Sequence, residues 1–282
     1  MKKASLPRIS AQLATVSLAL LTQLPESAYG FDYSASYIND WSACDSSCNG
    51  SGSLSYTDEQ INGFDAAMAT LGHTRKHKFS NTGVWASDYT EDVLGGQDNY
   101  YSDDSDIIAY SGHGIAPATQ YGQTFEAPMC HRGTTSSCWY DSANARFGER
   151  AGTYATPYPG NTRWLMWLTC YSVDTAPNEQ WGEAFWQGLE YVMGYRGTSL
   201  DSPTTDEVPS DWVGEAMGNS KNFKAAWFWA IEDWWANDTG SVASTGPDAA
   251  TADYRRDNQN KGWARRSASD YGYWVSWSWH EG

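Results

Sequence analysis

The sequence predicts an α/β sandwich built on a mainly parallel sheet, and three observations predict it. Short apolar runs bounded by turn residues read as strands buried on both faces, as in Ile107-Ile108-Ala109-Tyr110 and Trp164-Leu165-Met166-Trp167-Leu168. Such runs alternate along the chain with helical spacings, the pattern of a helix-covered parallel sheet. Two of the runs also stop at a reactive side chain. Asp106 to Gly114 delivers His113 between two glycines, and Arg163 to Ser172 delivers Cys170 followed by Tyr171 and Ser172. In open α/β sheets, sites form where strands leave the sheet at their carboxyl ends. His113 and Cys170, 57 positions apart, are therefore expected at one edge of one sheet.

The elements follow in order. Lys2, Lys3 and Arg8 precede the mostly apolar stretch Leu13 to Leu21, and Ser27-Ala28-Tyr29-Gly30 supplies small residues for cleavage, so residues 1–30 read as a secretory signal peptide. The apolar run is about half of the ~20 residues a spanning helix needs. Residues 31–282 are expected to form a single domain of about 250 residues. Phe31 to Ile38 reads as a first strand and Ser42 to Ser55 as a loop. Thr57 is a plausible N-cap with Gln60 at the capping-box position, and Ile61, Phe64, Met68 and Leu71 make one apolar helical stripe that Gly72 ends. His73 to Phe79 is a basic patch ending in a short strand. Asp98, Asp103, Asp104 and Asp106 could offer oxygen ligands to calcium, although a solvated loop explains the run more simply.

Beyond Gly114, an irregular region to Gly160 leaves the sheet after His113 and is expected to wall a cleft. Asn178 to Leu189 has helical spacing through Trp181, Phe185 and Leu189, and Glu190 to Tyr195 reads as a buried strand. Asp201 to Ser210 reads as a loop, Trp212 to Met217 and Phe223 to Trp235 as helices, Ser241 to Asp253 as a loop, and Tyr271 to Trp279 as a closing strand.

Composition narrows the function. The net charge is −16, about −18 once the leader's Lys2, Lys3, Arg8 and Glu26 are removed. A chain this acidic excludes nucleic acid and an anionic membrane surface as partners. Of the five cysteines, Cys44, Cys48, Cys130 and Cys138 are expected as disulfides in an exported protein. Three connectivities are open, and the two local pairs, Cys44 with Cys48 and Cys130 with Cys138, are the simplest. Cys170 is the odd one, a free thiol at the end of a buried strand. The sixteen tryptophans mostly sit at helical or strand spacing and are explained as core.

A thiol must be a thiolate to attack, and an imidazole supplies the base. His113 is the candidate general base and acid, and Cys170 the nucleophile. The N–H groups of Gly114 and Cys170 are the candidate oxyanion donors. A strand ending in Ser111-Gly112-His113-Gly114, followed by a strand ending in Thr169-Cys170-Tyr171-Ser172, resembles the caspase, legumain and gingipain group of cysteine peptidases. The wider pattern is more similar still to an uncharacterised, mostly bacterial family grouped with them. It is carried by Asn62-Gly63-Phe64, Leu94-Gly95-Gly96, Gly188-Leu189, Val192-Met193-Gly194-Tyr195 and Ala225-Ala226-Trp227, over residues 31–235. The resemblance implies a caspase-like three-layer α/β/α sandwich, a His113–Cys170 dyad and a polypeptide substrate. Thr169 stands where the group often has alanine, and no arginine pair for acidic side chains is recognisable. The alternative is a catalytically inactive caspase-like extracellular module that binds a protein partner. Neither reading requires a cofactor.

Overall fold

The computed structural model describes residues 30–44, 48, 52–115, 124–130, 138–148, 160–174, 177–233, 238–266 and 274–281. The expected signal peptide lies outside the described residues, as do Trp234, Trp235 and much of the region between Gly114 and Gly160. Five parallel strands form the body of a seven-stranded sheet: β1 (Asp32–Tyr37), β2 (Thr74–Ser80), β3 (Ile107–Ser111), β6 (Trp164–Leu168) and β7 (Tyr191–Tyr195). β8 (Thr239–Gly246) and β9 (Trp274–Glu281) extend it antiparallel, giving the order β2-β1-β3-β6-β7-β8-β9. A separate hairpin joins β4 (Glu126–Pro128) to β5 (Trp139–Asp141).

Layers cover both faces, so the strands read as continuous apolar runs. Trp164, Met166 and Leu168 of β6 face the cluster formed with α1 (Thr57–Thr70), α4 (Val208–Trp212) and α5 (Phe223–Asp233). Leu165 and Trp167 face the other side, where the hairpin, α2 (Pro177–Gln180) and α3 (Gly182–Gln187) pack. α6 (Ala249–Asn258) lies on the α5 side, where Ser244 Oγ donates to Ala252 O at 2.8 Å. The protein is thus an α/β three-layer sandwich with a mostly parallel sheet. Trp167 is fully buried among the rings of Tyr110 (4.7 Å), Tyr140 (5.0 Å) and Tyr89 (5.3 Å), which pins β6 just before Cys170.

Several expectations change. Residues 241–253 are not a loop but most of β8 and the start of α6. Small residues build β8 because bulk presses on it: a Cβ at Gly240 would lie 2.2 Å from Ile231 Cδ1. The expected helix over residues 178–189 is broken at Trp181, between α2 and α3. The helix N-cap is Tyr56, not Thr57. Gln60 closes no capping box; it accepts from Ser111 Oγ at 2.5 Å and donates to Thr205 O at 3.1 Å. Leu71 falls past the helix end and is exposed.

The disulfides also differ from the local pairs. Cys44 bridges Cys130 and Cys48 bridges Cys138, with Cα separations of 5.3 and 5.2 Å. The isolated bridge between Trp85 and Cys130 lays the second cysteine segment along the 84–86 segment. There the Trp41 indole N–H also donates to Pro128 O at 3.3 Å, so the two cysteine segments face each other.

At the amino ends of β6 and β7, Arg163 is paired with the fully buried Glu190 at 3.1 Å, and Glu190 Oε1 accepts the Arg266 N–H at 2.8 Å. Removing one partner of a buried pair strands the other, at a cost of about 3–5 kcal/mol. Glu190→Ala is therefore expected to lose that much in urea denaturation. Cys170 reactivity in the molecules still folded should be untouched, because Glu190 lies at the opposite edge of the sheet.

Candidate active site

β3 and β6 are adjacent, parallel and in register, with Ser111 opposite Leu168. His113 and Cys170 each follow two residues later, so the shared register carries both to the same edge. Both line one cleft of about 130 Å³, together with Leu54, Thr57, Gln60, Ser199, Leu200 and Asp201. Cys170 is the only unbridged cysteine of the five. The described part of the 114–160 region does not line this cleft. Its walls are the segment before α1 and the segment after β7.

Local structure fixes the cysteine. Tyr171 takes a left-handed conformation (φ 57°), which turns the chain sharply after Cys170. Ser172 Oγ reaches the carbonyls of Trp167 (2.8 Å) and Thr169 (3.0 Å) and accepts the Tyr195 N–H (3.0 Å). The Tyr171 N–H donates to Gly197 O at 2.6 Å, and Gln180 Nε2 donates to Tyr171 O at 2.8 Å. The turn is therefore held from β7 and α2 as well as from its own strand.

His113 is placed by contacts its neighbours in sequence do not announce. Its ring lies 4.6 Å from the Trp41 ring, tilted by 36°. Its Nε2 is 2.8 Å from Gly52 O. A carbonyl only accepts, so Nε2 carries the hydrogen, and in the neutral ring Nδ1 keeps the lone pair that takes a proton. The Gly52 carbonyl thus holds the His113 ring, a contact that sequence reasoning missed because a backbone oxygen leaves no residue-type signal.

Gly114 sits against the cysteine turn. A Cβ there would lie 2.1 Å from Cys170 O and 2.8 Å from Thr169 Oγ1. Among the described residues neither the Gly114 nor the Cys170 N–H donates to a backbone carbonyl.

Two aspartates brace the walls. Asp201 accepts the N–H groups of Ser55 (2.5 Å) and Tyr56 (2.8 Å), tying the segment with Gly52 to the segment with Ser199. Asp238 is buried just before β8, and its two oxygens lie 3.0 and 3.1 Å from the Leu200 N–H. Burial pushes its carboxyl up to about 7, against which the Leu200 hydrogen bond works. The folded state then holds the proton more tightly than the unfolded chain, so this group's contribution to stability declines as pH rises from about 4 to 7.

The four aspartates considered for calcium serve separate tasks. Asp98 accepts from the Asn99 N–H at 2.9 Å. Asp103 accepts the Gly148 (2.9 Å) and Thr162 (2.8 Å) N–H groups. Asp104 lies 3.7 Å from Lys76 and 3.6 Å from His77. Asp106 accepts the Asp32 N–H at 3.0 Å. Among the described residues no group of three His, Cys, Asp or Glu side chains is arranged to hold a metal ion. Nor is any described helix long and apolar enough to cross a membrane.

No curated protein matches the chain in sequence. A family model does match, over residues 38–279, which takes in β3, β6 and every wall of the cleft described above. The chain belongs to the family described as a domain of unknown function, DUF6345.

Proposed function

We propose that the protein is an exported cysteine peptidase-like hydrolase in which His113 and Cys170 cleave an acyl bond of a polypeptide. The observation that carries this reading is the shared β3–β6 register, which ends in an unbridged thiol and an imidazole lining one cleft. The disulfides suit an oxidising compartment. A caspase-like relationship, drawn from the Ser-Gly-His-Gly and Thr-Cys motifs, agrees with the α/β/α layering.

In this mechanism the Cys170 thiol gives its proton to His113 Nδ1, and the thiolate attacks the substrate carbonyl carbon. The Gly114 and Cys170 N–H groups stabilise the oxyanion. Collapse of that adduct breaks the C–N bond, and His113 returns the proton to the leaving amine. Water, activated by His113, then hydrolyses the thioester and frees Cys170.

The test is labelling of the folded, unreduced protein with a peptidyl acyloxymethyl ketone. Peptide mapping should place the label on Cys170, Cys170→Ala should remove it, and His113→Ala should slow it by at least about 100-fold. Unlabelled Cys170 in folded protein would sink the reading.

A further inference from the structure

The segment after β7 meets the cysteine with a backbone donor. The Ser199 N–H points at Cys170 Sγ from 3.3 Å, while the Ser199 carbonyl and hydroxyl oxygens lie farther off, at 3.7 and 3.9 Å. The next N–H along, that of Leu200, is gripped by both oxygens of Asp238. Successive N–H groups of one short segment thus have opposite partners: a sulfur on the cleft side and a buried carboxylate behind it. β8 runs antiparallel to β7, so its first residues lie at the edge where β7 ends, beside the site. Arg196 N–H donates to Thr239 O at 2.8 Å and closes the same corner.

We infer that Asp238 is a positioning residue for the thiolate: by holding the Leu200 N–H it aims the Ser199 N–H at Cys170 Sγ, where that donor stabilises the anionic sulfur. The inference rests on Cys170 being the reactive nucleophile and adds a second electrostatic support besides His113. A carboxylate suits the task because it accepts without donating, and the bifurcated grip fixes the peptide's direction. Among the described residues, the ionisable groups around this corner include His113 and Asp201 across the cleft, Tyr195 on β7 and Arg196, whose guanidinium lies against Asp174 and Trp279. Burial, then the nearby Asp238 and Cys170 charges, hold the Tyr195 hydroxyl well above its ordinary range, so it stays neutral throughout.

The sign of the effect separates this role from the obvious alternative. Asp238 is an anion near the sulfur, so as a mere charge it opposes the thiolate, and its removal should make Cys170 more reactive. As a positioning group its removal frees the Ser199 donor and should make Cys170 less reactive. The experiment is the rate of iodoacetamide alkylation of Cys170, in which the S–C bond forms and iodide leaves, measured from pH 6 to 10 without reductant. Asp238→Ala is expected to slow the reaction about tenfold at pH 8, with Asp238→Asn between it and the parent because the amide oxygen still accepts. At pH 10, well above the ordinary thiol range, the rates should converge. A faster or unchanged rate at pH 8, or slowing by the same factor at every pH, overturns the inference; the last result would mean a loosened cleft. Asp238→Asn is nearly the same shape as the parent and carries the test if the alanine variant does not fold. Because alkylation needs no peptide substrate, slowed alkylation in a protein that cleaves no peptide would retire the peptidase reading and leave this inference standing.

Discussion

A variant with both disulfides removed is expected to be largely unfolded at 37 °C, while loss of either bridge alone should be tolerated. The connectivity dictates the difference. Cys44–Cys130 spans 86 residues and Cys48–Cys138 spans 90, so either bridge alone closes a long loop and restrains the unfolded chain by about 5 kcal/mol on the chain-entropy relation. Once one is closed, the other encloses only the short arms between Cys44 and Cys48 and between Cys130 and Cys138, a ring of about 12 residues worth about 3 kcal/mol. Removing one bridge therefore costs about 3 kcal/mol, and removing both about 8, against a typical total of about 5–15. Urea denaturation of the two double-alanine variants and the four-alanine variant measures this. A four-alanine variant less than about 3 kcal/mol below the parent would contradict the account. The bridges also bear on the site, since Trp41 and Gly52, which hold His113, flank Cys44 and Cys48 in sequence. Each single-bridge variant should label Cys170 more slowly than its lost stability alone explains.

Gly114→Ala is expected to cost at least about 100-fold in Cys170 labelling by a peptidyl electrophile. The added methyl would meet Cys170 O at 2.1 Å, Thr169 Oγ1 at 2.8 Å and the Phe125 ring at 3.0 Å. Two of those contacts belong to the β6 turn, which Ser172 and Gln180 hold rigidly, so the β3 end must move instead and carry His113 with it. A displacement near 1 Å at a reacting pair costs about 100-fold, and the Gly114 oxyanion donor shifts as well. The overlap should also take about 1–3 kcal/mol from stability. Gly182→Ala, where a Cβ meets nothing within 4 Å, is the control and should change neither quantity. Labelling of Gly114→Ala at the parent rate would show that the two strand ends are not in mechanical contact.

The strands that carry the candidate dyad were legible because their chemistry is written in side chains. Trp164 to Leu168 and Ile107 to Tyr110 are apolar throughout, since both faces are covered, and each ends at its glycine or polar turn. The residues flanking the dyad were legible for the same reason. What sequence hid was either made of backbone or imposed by neighbours. Gly52 O and Ser199 N–H act through main-chain atoms that any residue would supply. β8 looked like a loop because Gly240 and Ser244 are small to fit Ile231 and α6, a demand set by distant parts of the chain. The disulfide pairing was hidden likewise, because it follows from how two loops meet across one face of the sheet.

The order β2-β1-β3-β6-β7-β8-β9 seats β3 and β6, which carry the candidate dyad, third and fourth of seven, each hydrogen-bonded on both sides. Sheets fray from their margins, so amides over residues 107–111 and 164–168 should be among the slowest to exchange with deuterium, opening only when the whole molecule does. Heating would then leave His113 and Cys170 on one cleft until cooperative collapse, and labelling of Cys170 by the peptidyl ketone would change in step with the melting curve rather than ahead of it.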